Sequence, residues 1–148
     1  MIRKATKYDI PKLLQMVNGY AAEFPCGLAN DPQWFDEKYL SSLLMTIIAG
    51  CGFVLMDDDE RGFLAAIIVP NVWNPKILEL SELAWWVYPE HRNSTIGGKL
   101  WIEFDREAEK LKASGRIKLI KTSLTVKSPK INFEKRGYTM LETAYIKD

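Results

Sequence analysis

No other stretch limits the fold of this chain as tightly as residues 85–100, Trp-Trp-Val-Tyr-Pro-Glu-His-Arg-Asn-Ser-Thr-Ile-Gly-Gly-Lys-Leu. An apolar, aromatic and β-branched run meets Pro89, crosses a short polar segment and becomes an amphipathic helical pattern. That succession reads as a strand, a turn and the start of a helix. Ser94 or Thr95 can cap the helix, and the first-turn N–H groups have no acceptor inside it. Gly97 and Gly98 let another backbone or a ligand come close. Such a junction suits an anion, and Arg92 and Lys99 add positive charge beside it. The same residues also make an ordinary strand-to-helix turn whose glycines merely ease packing.

The remaining chain is of a size and composition to supply a core around that junction. At 148 residues, 47% apolar and 26% charged, it is expected to fold as one domain spanning 1–148. A formal charge of +1 argues against a generally basic nucleic-acid binder, and Lys118, Lys121, Lys127, Lys130, Lys135 and Arg136 read as a solvated face. Cys26 and Cys51 are too few for a disulfide scaffold; both are expected reduced, with at least one buried. His91 is the only histidine, so a multi-histidine metal site is excluded and no metal is expected. No apolar run approaches the ~20 residues needed to span a bilayer. The N-terminus lacks a signal-peptide core, so a cytoplasmic location without membrane attachment is expected.

In chain order, residues 2–5 suit a short strand, and Thr6 with Asp9 makes a capping box before a helix from Ile10 with Pro11 in its first turn. Leu13, Leu14, Met16, Val17, Tyr20, Ala21 and Phe24 recur at helical spacing up to the break at Pro25 and Gly27. Asp31-Pro32 is expected to open a second helix at Gln33, carrying Trp34, Phe35, Tyr39, Leu40, Leu43, Leu44, Ile47 and Ile48 to Gly50. Two β-rich runs, from Phe53 and from Phe63, flank a solvated acidic turn, Asp57 to Gly62, and form a hairpin. Residues 70–76 are a loop and residues 77–88 a long strand.

The helix after the junction runs to about Ala113, followed by a strand over residues 117–126, so that strand, helix and strand make a parallel crossover. A short helix from Pro129 closes at Gly137, and two β-like pieces, 138–141 and 143–147, end the chain. The order is βααβββαβαββ, without repeats or linkers. Glu79 and Glu82 interrupt the long apolar strand; three residues apart, they lie on opposite faces unless a bulge intervenes. Each must face solvent, find a partner or serve a function.

With those elements in place the chain resembles the GCN5-related N-acetyltransferase (GNAT) family over essentially its whole length. The likeness rests on the element order, on the strand ending Trp-Trp-Val-Tyr-Pro-Glu-His-Arg, and on the loop Arg92-Asn93-Ser94-Thr95-Ile96-Gly97. The family's loop is Arg/Gln-x-x-Gly-x-Gly/Ala, so Thr95 stands in for its first glycine. Phe133-Glu-Lys-Arg-Gly-Tyr138 matches the family's Tyr-Glu-Lys-x-Gly-Phe segment, with Phe133 where a proton-donating tyrosine often sits.

The resemblance implies an α/β (α+β) fold with a mixed, mostly antiparallel sheet and helices on both faces. It implies direct transfer of acetyl from acetyl-CoA, the acyl-donor cosubstrate, to a primary amine of a small molecule or protein. Trp86, Val87, Tyr88, Arg92, Asn93, Ser94, Thr95, Ile96, Gly97, Gly98 and Lys99 would hold the coenzyme. Glu82 is its first candidate base and Glu79 its second, while Trp34, Phe35, Tyr39 and Trp73 would line the amine site. Exposed edge strands near the C-terminus permit a homodimer. Thr95 and Phe133 keep a second reading open, a non-catalytic acyl-CoA-binding or interaction module on the same fold.

Overall fold

Alternation and helical spacing account for most of the architecture. The computed structural model describes residues 1–148. It contains β1 (Ile2–Lys4), α1 (Ile10–Ala22), α2 (Glu37–Thr46), β2 (Gly52–Asp57), β3 (Gly62–Pro70), β4 (Leu78–Val87), α3 (Ile96–Ala113) and β5 (Leu119–Lys121). The strands form one open sheet in the order β1-β2-β3-β4-β5. Its pairings are antiparallel except for the parallel crossover from β4 through α3 to β5. The expected mixed, mostly antiparallel sheet with helices on both faces is therefore present.

α1 begins as read: Asp9 accepts the Thr6 N–H at 2.7 Å, and Thr6 Oγ1 accepts the Tyr8 N–H at 3.3 Å, completing the capping box. Its face of Ile10, Leu13 and Met16 packs with Val54, Met56, Phe63, Ala65, Ala84 and Trp86 on one side of the sheet. α3 covers the other side with Leu100, Trp101, Phe104 and Ala108 against Phe53, Leu55, Leu64, Leu80, Trp85 and Val87.

Membership of these two clusters exposes a phase change in β4. Leu80 belongs with α3, yet so do Trp85 and Val87, which an unbroken alternation from Leu80 would send to the opposite face. The ladder pairs Ala66 with Glu82 and Ala65 with Ala84, leaving Leu83 as an extra residue in a β-bulge. The ladder is regular from Leu78 to Glu82, so Glu79 and Glu82 do lie on opposite faces. The bulge follows Glu82 directly and turns Trp85 towards α3.

Several boundaries differ from the sequence reading. The second helix starts at Glu37 rather than Gln33, because Asp31 closes a local turn by accepting the Gln33 N–H at 2.8 Å, and Asp36 is the N-cap, accepting from Tyr39 N–H at 2.9 Å. Asp57 is not part of a solvated turn: its carboxylate is fully buried, bonded to Arg61 Nε at 2.5 Å and 3.8 Å from the N-terminal ammonium. Both cysteines are free, but neither is buried.

The largest departure follows β5, which has three residues instead of the ten expected. Beyond Lys121 the Ser123 N–H turns to Glu82, and Thr125 and Ser128 close their own turn, Ser128 N–H to Thr125 carbonyl at 3.1 Å and Thr125 N–H to Ser128 Oγ at 2.9 Å. The helix expected from Pro129 is a single 3₁₀ turn, Glu134–Arg136, ended by Gly137 in the left-handed region at φ 87°. The two terminal β-like pieces form no ladder, since so short a β5 offers them little edge to pair with. The tail is tied down at two points instead: Tyr138 donates to Asp105 at 2.7 Å, and Asp148 accepts the Gly27 N–H.

Candidate functional site

β4 and β5 pair only from Glu79 with Leu119 to Ser81 with Lys121. Past that point the two chains part, and a cavity of about 280 Å³ lies between the C-terminal half of β4, the last turn of α1, the start of α3 and residues 125–129. Its size suits a small-molecule ligand. The bulge, the crossover helix and the early end of β5 together make this opening.

The start of α3 supplies its donors. Thr95 occupies the N-cap position, but its side chain makes no capping bond; Ser94 Oγ accepts the Ile96 N–H at 3.3 Å instead. The next two N–H groups, of Gly97 and Gly98, have no acceptor in the protein, and both residues line the cavity. A Cβ on Gly97 would come within 2.8 Å of Pro129 Cγ, so glycine is what lets residues 125–129 close against the helix. Trp85 fixes that helix end by donating from Nε1 to the Gly97 carbonyl at 3.1 Å.

Arg92 bridges the walls. Its Nε donates to the Val87 carbonyl at 2.9 Å, its Nη2 meets Glu23 Oε1 at 2.6 Å, and its guanidinium lies 5.8 Å from the Trp86 ring centroid. Lys127 approaches the other oxygen of Glu23 at 3.7 Å. The Trp86 indole is 7% exposed, and its Nε1–H is the one buried side-chain polar atom without a hydrogen-bond partner. An unpaired donor of this kind costs free energy unless a ligand or water accepts it. Free helix N–H groups and two cations fit a phosphate-bearing ligand such as a coenzyme A derivative.

The two carboxylates of β4 have different surroundings. Glu79 is 4% exposed and committed to Lys121 Nζ at 2.7 Å and Asn71 Nδ2 at 3.0 Å. The Lys121 bond, then the Asn71 bond, hold its carboxyl below the ordinary range. Glu82 sits at the parting of the strands with only long contacts, 3.5 Å to Thr122 Oγ1 and 3.4 Å to the Ser123 N–H. Burial pushes its carboxyl up to about 7, partly offset by those two bonds. Thr122 is itself anchored by Trp101 Nε1 at 3.0 Å. Glu82 does not line the cavity, but Tyr20 does, and burial together with the Glu82 charge raises the Tyr20 hydroxyl.

Of the residues proposed from sequence for the coenzyme, Trp86, Val87, Arg92, Ser94, Gly97 and Gly98 meet at the cavity. Tyr88, Asn93, Thr95, Ile96 and Lys99 do not line it. Ile96 is buried in the α3 cluster, Tyr88 packs on Trp86 with ring centroids 4.7 Å apart, and Lys99 faces a groove beside Met1 and Ile2. Trp34, Phe35, Tyr39 and Trp73 also stand outside it; Trp34 packs on Phe24 and donates to the Ala21 carbonyl at 3.1 Å, while Trp73 is 88% exposed.

The sequence reading missed Glu23, Trp85 and the wall of residues 125–129, and took Tyr20 and Phe24 only as core. The last turn of α1 carried a signal, since Tyr20, Glu23 and Phe24 share a face at helical spacing. No cluster of three or more His, Cys, Asp or Glu side chains could hold a metal ion, and no helix is long and apolar enough to cross a membrane.

No protein-family model and no curated protein sequence matches the chain. Solved structures match its fold. An acetyltransferase of Trypanosoma brucei superposes with a TM-score of 0.62 at 15% identity, covering 100% of this chain and 98% of its own. An aminoglycoside acetyltransferase from an uncultured soil metagenome, solved with sisomicin, gives 0.63 at 14% identity, covering 99% and 92%. A GNAT family acetyltransferase of Staphylococcus aureus gives 0.61 at 15%, covering 100% and 97%. The sheet order, the crossover and these superpositions over the whole chain define a GNAT-like fold.

Proposed function

We propose that the protein is an acetyl-CoA-dependent N-acetyltransferase acting on a primary amine of a small molecule or protein. The observation that carries this reading is the cavity between β4 and the chain beyond β5, with the unpaired Gly97 and Gly98 N–H groups at its rim and Glu82 at the point where the strands part.

Acetyl-CoA supplies an activated acetyl thioester. The chain's own residues bind, orient and move a proton. Gly97 and Gly98 N–H, Arg92 and Ser94 face the phosphate-bearing part, and the edge of β4 at Trp86 and Val87, which β5 leaves without a strand partner, offers backbone groups to the amides of the pantetheine arm. Glu82 Oε accepts the proton that an ammonium must lose before its nitrogen can attack, and a carboxyl near 7 is well matched to that task. Glu79, held ionised by Lys121, is the weaker base and the second candidate. Tyr138 has given its hydroxyl to Asp105, so the tyrosine available at the cavity is Tyr20.

The test is incubation of the purified protein with acetyl-CoA and a panel of primary amines, aminoglycosides and peptide N-termini among them, with thiol release followed by a chromogenic disulfide. Amine-dependent release that saturates in both substrates is the expected result. Saturable coenzyme binding without release by any amine would favour the non-catalytic module, for which Thr95 and Phe133 are the motivating departures.

A further inference from the structure

Glu23 occupies an electrostatically odd place. It is the C-cap residue of α1, where a carboxylate meets the negative end of the helix dipole and is disfavoured. Its partners explain its position: Arg92 Nη2 lies 2.6 Å from one oxygen and Lys127 Nζ 3.7 Å from the other, and all three residues line the cavity. Lys127 comes from the loop after β5 and Arg92 from the turn after β4, so the carboxylate draws together the two walls that the parting of the strands leaves separate. One carboxylate between two cations leaves a single positive charge uncompensated, in a cavity that the Gly97 and Gly98 N–H groups, neither of which has an acceptor, also line.

We infer that Glu23 is a resident counter-ion, and that Arg92 and Lys127 form a two-cation clamp whose proper ligand is a diphosphate. This rests on the coenzyme reading of the cavity and adds to it a phosphate-binding residue, Lys127, and a competitor, Glu23. A diphosphate carries two or more negative charges against the two cations, whereas Glu23 offers one, and it can also accept from the unpaired N–H groups, which Glu23 leaves unused. Binding therefore exchanges one anion for another: the diphosphate takes the clamp, and the Glu23 carboxylate moves to water. The exchange sets the affinity below what the clamp alone would give, because each binding event must first break the Glu23 contacts.

The opposite role is equally definite: Glu23 would orient Arg92 for the ligand, and losing it would weaken binding. Calorimetric titration separates the two, with coenzyme A and, separately, inorganic pyrophosphate as probes. The proteins are the unaltered chain, Glu23→Gln, Glu23→Ala and Lys127→Met, each checked for folding by circular dichroism and thermal melting. Counter-ion exchange predicts that both Glu23 variants bind both probes about three- to tenfold more tightly. It predicts that Lys127→Met binds both several-fold more weakly. Unchanged or weaker binding by folded Glu23 variants overturns the exchange. If coenzyme A binds the unaltered chain but Glu23→Gln gains nothing, the coenzyme reading stands and the exchange falls. If pyrophosphate binds and Glu23→Gln tightens it while coenzyme A does not bind, the exchange stands and the coenzyme reading falls. Binding of neither probe to any of the four proteins removes both.

Discussion

Glu82 and Ser123 face each other across the point where β5 leaves β4, the carboxylate Oε1 lying 3.4 Å from the Ser123 N–H. Burial dominates the Glu82 environment and raises its carboxyl to about 7. If this carboxylate is the base, turnover rises with pH through about 7 and levels off above it. Glu82→Gln should lower turnover by roughly 10²- to 10⁴-fold, remove the inflection and leave coenzyme affinity within about twofold. A retained inflection would assign the base elsewhere.

The same group fixes a stability trend. A carboxyl raised in the folded state binds more protons there than in the unfolded chain, so its contribution is fully present below the unfolded value of 4.5 and is lost as pH rises through about 7. Glu82→Gln should therefore be more stable than the unaltered chain at pH 8, on the order of 2 kcal/mol, with the gap closing towards pH 4. Urea unfolding at the two pH values measures it, and equal gaps at both would contradict the assignment.

Gly97 and Gly98 are adjacent but answer differently to substitution. A Cβ on Gly97 meets Pro129 Cγ at 2.8 Å, whereas one on Gly98 meets nothing within 4 Å. Gly97→Ala should displace the loop wall, lowering the melting temperature and weakening coenzyme binding together. Gly98→Trp should keep the melting temperature and weaken coenzyme binding about tenfold or more by filling the cavity rim. Unchanged affinity in Gly98→Trp would remove the helix start from the binding site.

The parts of this architecture that depend on one element's own pattern were legible in the sequence. Of the α1 face read from helical spacing, Leu13 and Met16 are buried while Phe24 at its far end is exposed, and α3 shows Leu100, Trp101, Phe104 and Ala108 at the same spacing. The hairpin and β4 announce themselves by composition. What was not legible depends on a partner. The bulge at Leu83 is decided by pairing with β3, and without it the face of Trp85 could not be assigned. The second wall of the cavity exists because the chain leaves β4 after Lys121, although residues 117–126 have strand-like composition throughout. Asp31 and Asp36 are both good helix caps in sequence, and only the Asp31 bond to Gln33 N–H makes one a turn and the other a cap.

Gly19 sets two helix-scale effects against each other. Alanine at an interior helix position is favoured over glycine by about 1 kcal/mol. Here, however, an added Cβ would lie 2.6 Å from Trp86 Cη2 and Cζ2, in the contact that seats α1 on the sheet. Overpacking costs about 1–3 kcal/mol and a rigid indole flanked by Tyr88 and Arg92 has little room to yield, so packing wins. Gly19→Ala should lower the urea midpoint without changing the slope, by roughly 1 kcal/mol net. A raised midpoint would show that α1 can lift from Trp86 at little cost.

Tyr138 tests whether the C-terminal segment is structural or chemical. Its ring packs on Trp101 at 5.7 Å and Phe133 at 5.9 Å between centroids, and its hydroxyl donates to Asp105 at 2.7 Å. Burial, then the Asp105 bond, raise the hydroxyl well above its ordinary range, so it holds its proton at any working pH. Phe133 has no proton to offer, and its ring lies 5.0 Å from that of Trp101 as part of the same cluster. Tyr138→Phe keeps the ring contacts and removes one hydrogen bond to a charged group, which should cost about 1–2 kcal/mol. Amine-dependent thiol release per folded molecule should not change, because the hydroxyl faces α3 rather than the cavity. A turnover loss of tenfold or more at unchanged stability would instead make Tyr138 part of the reaction and require the Asp105 bond to break during it.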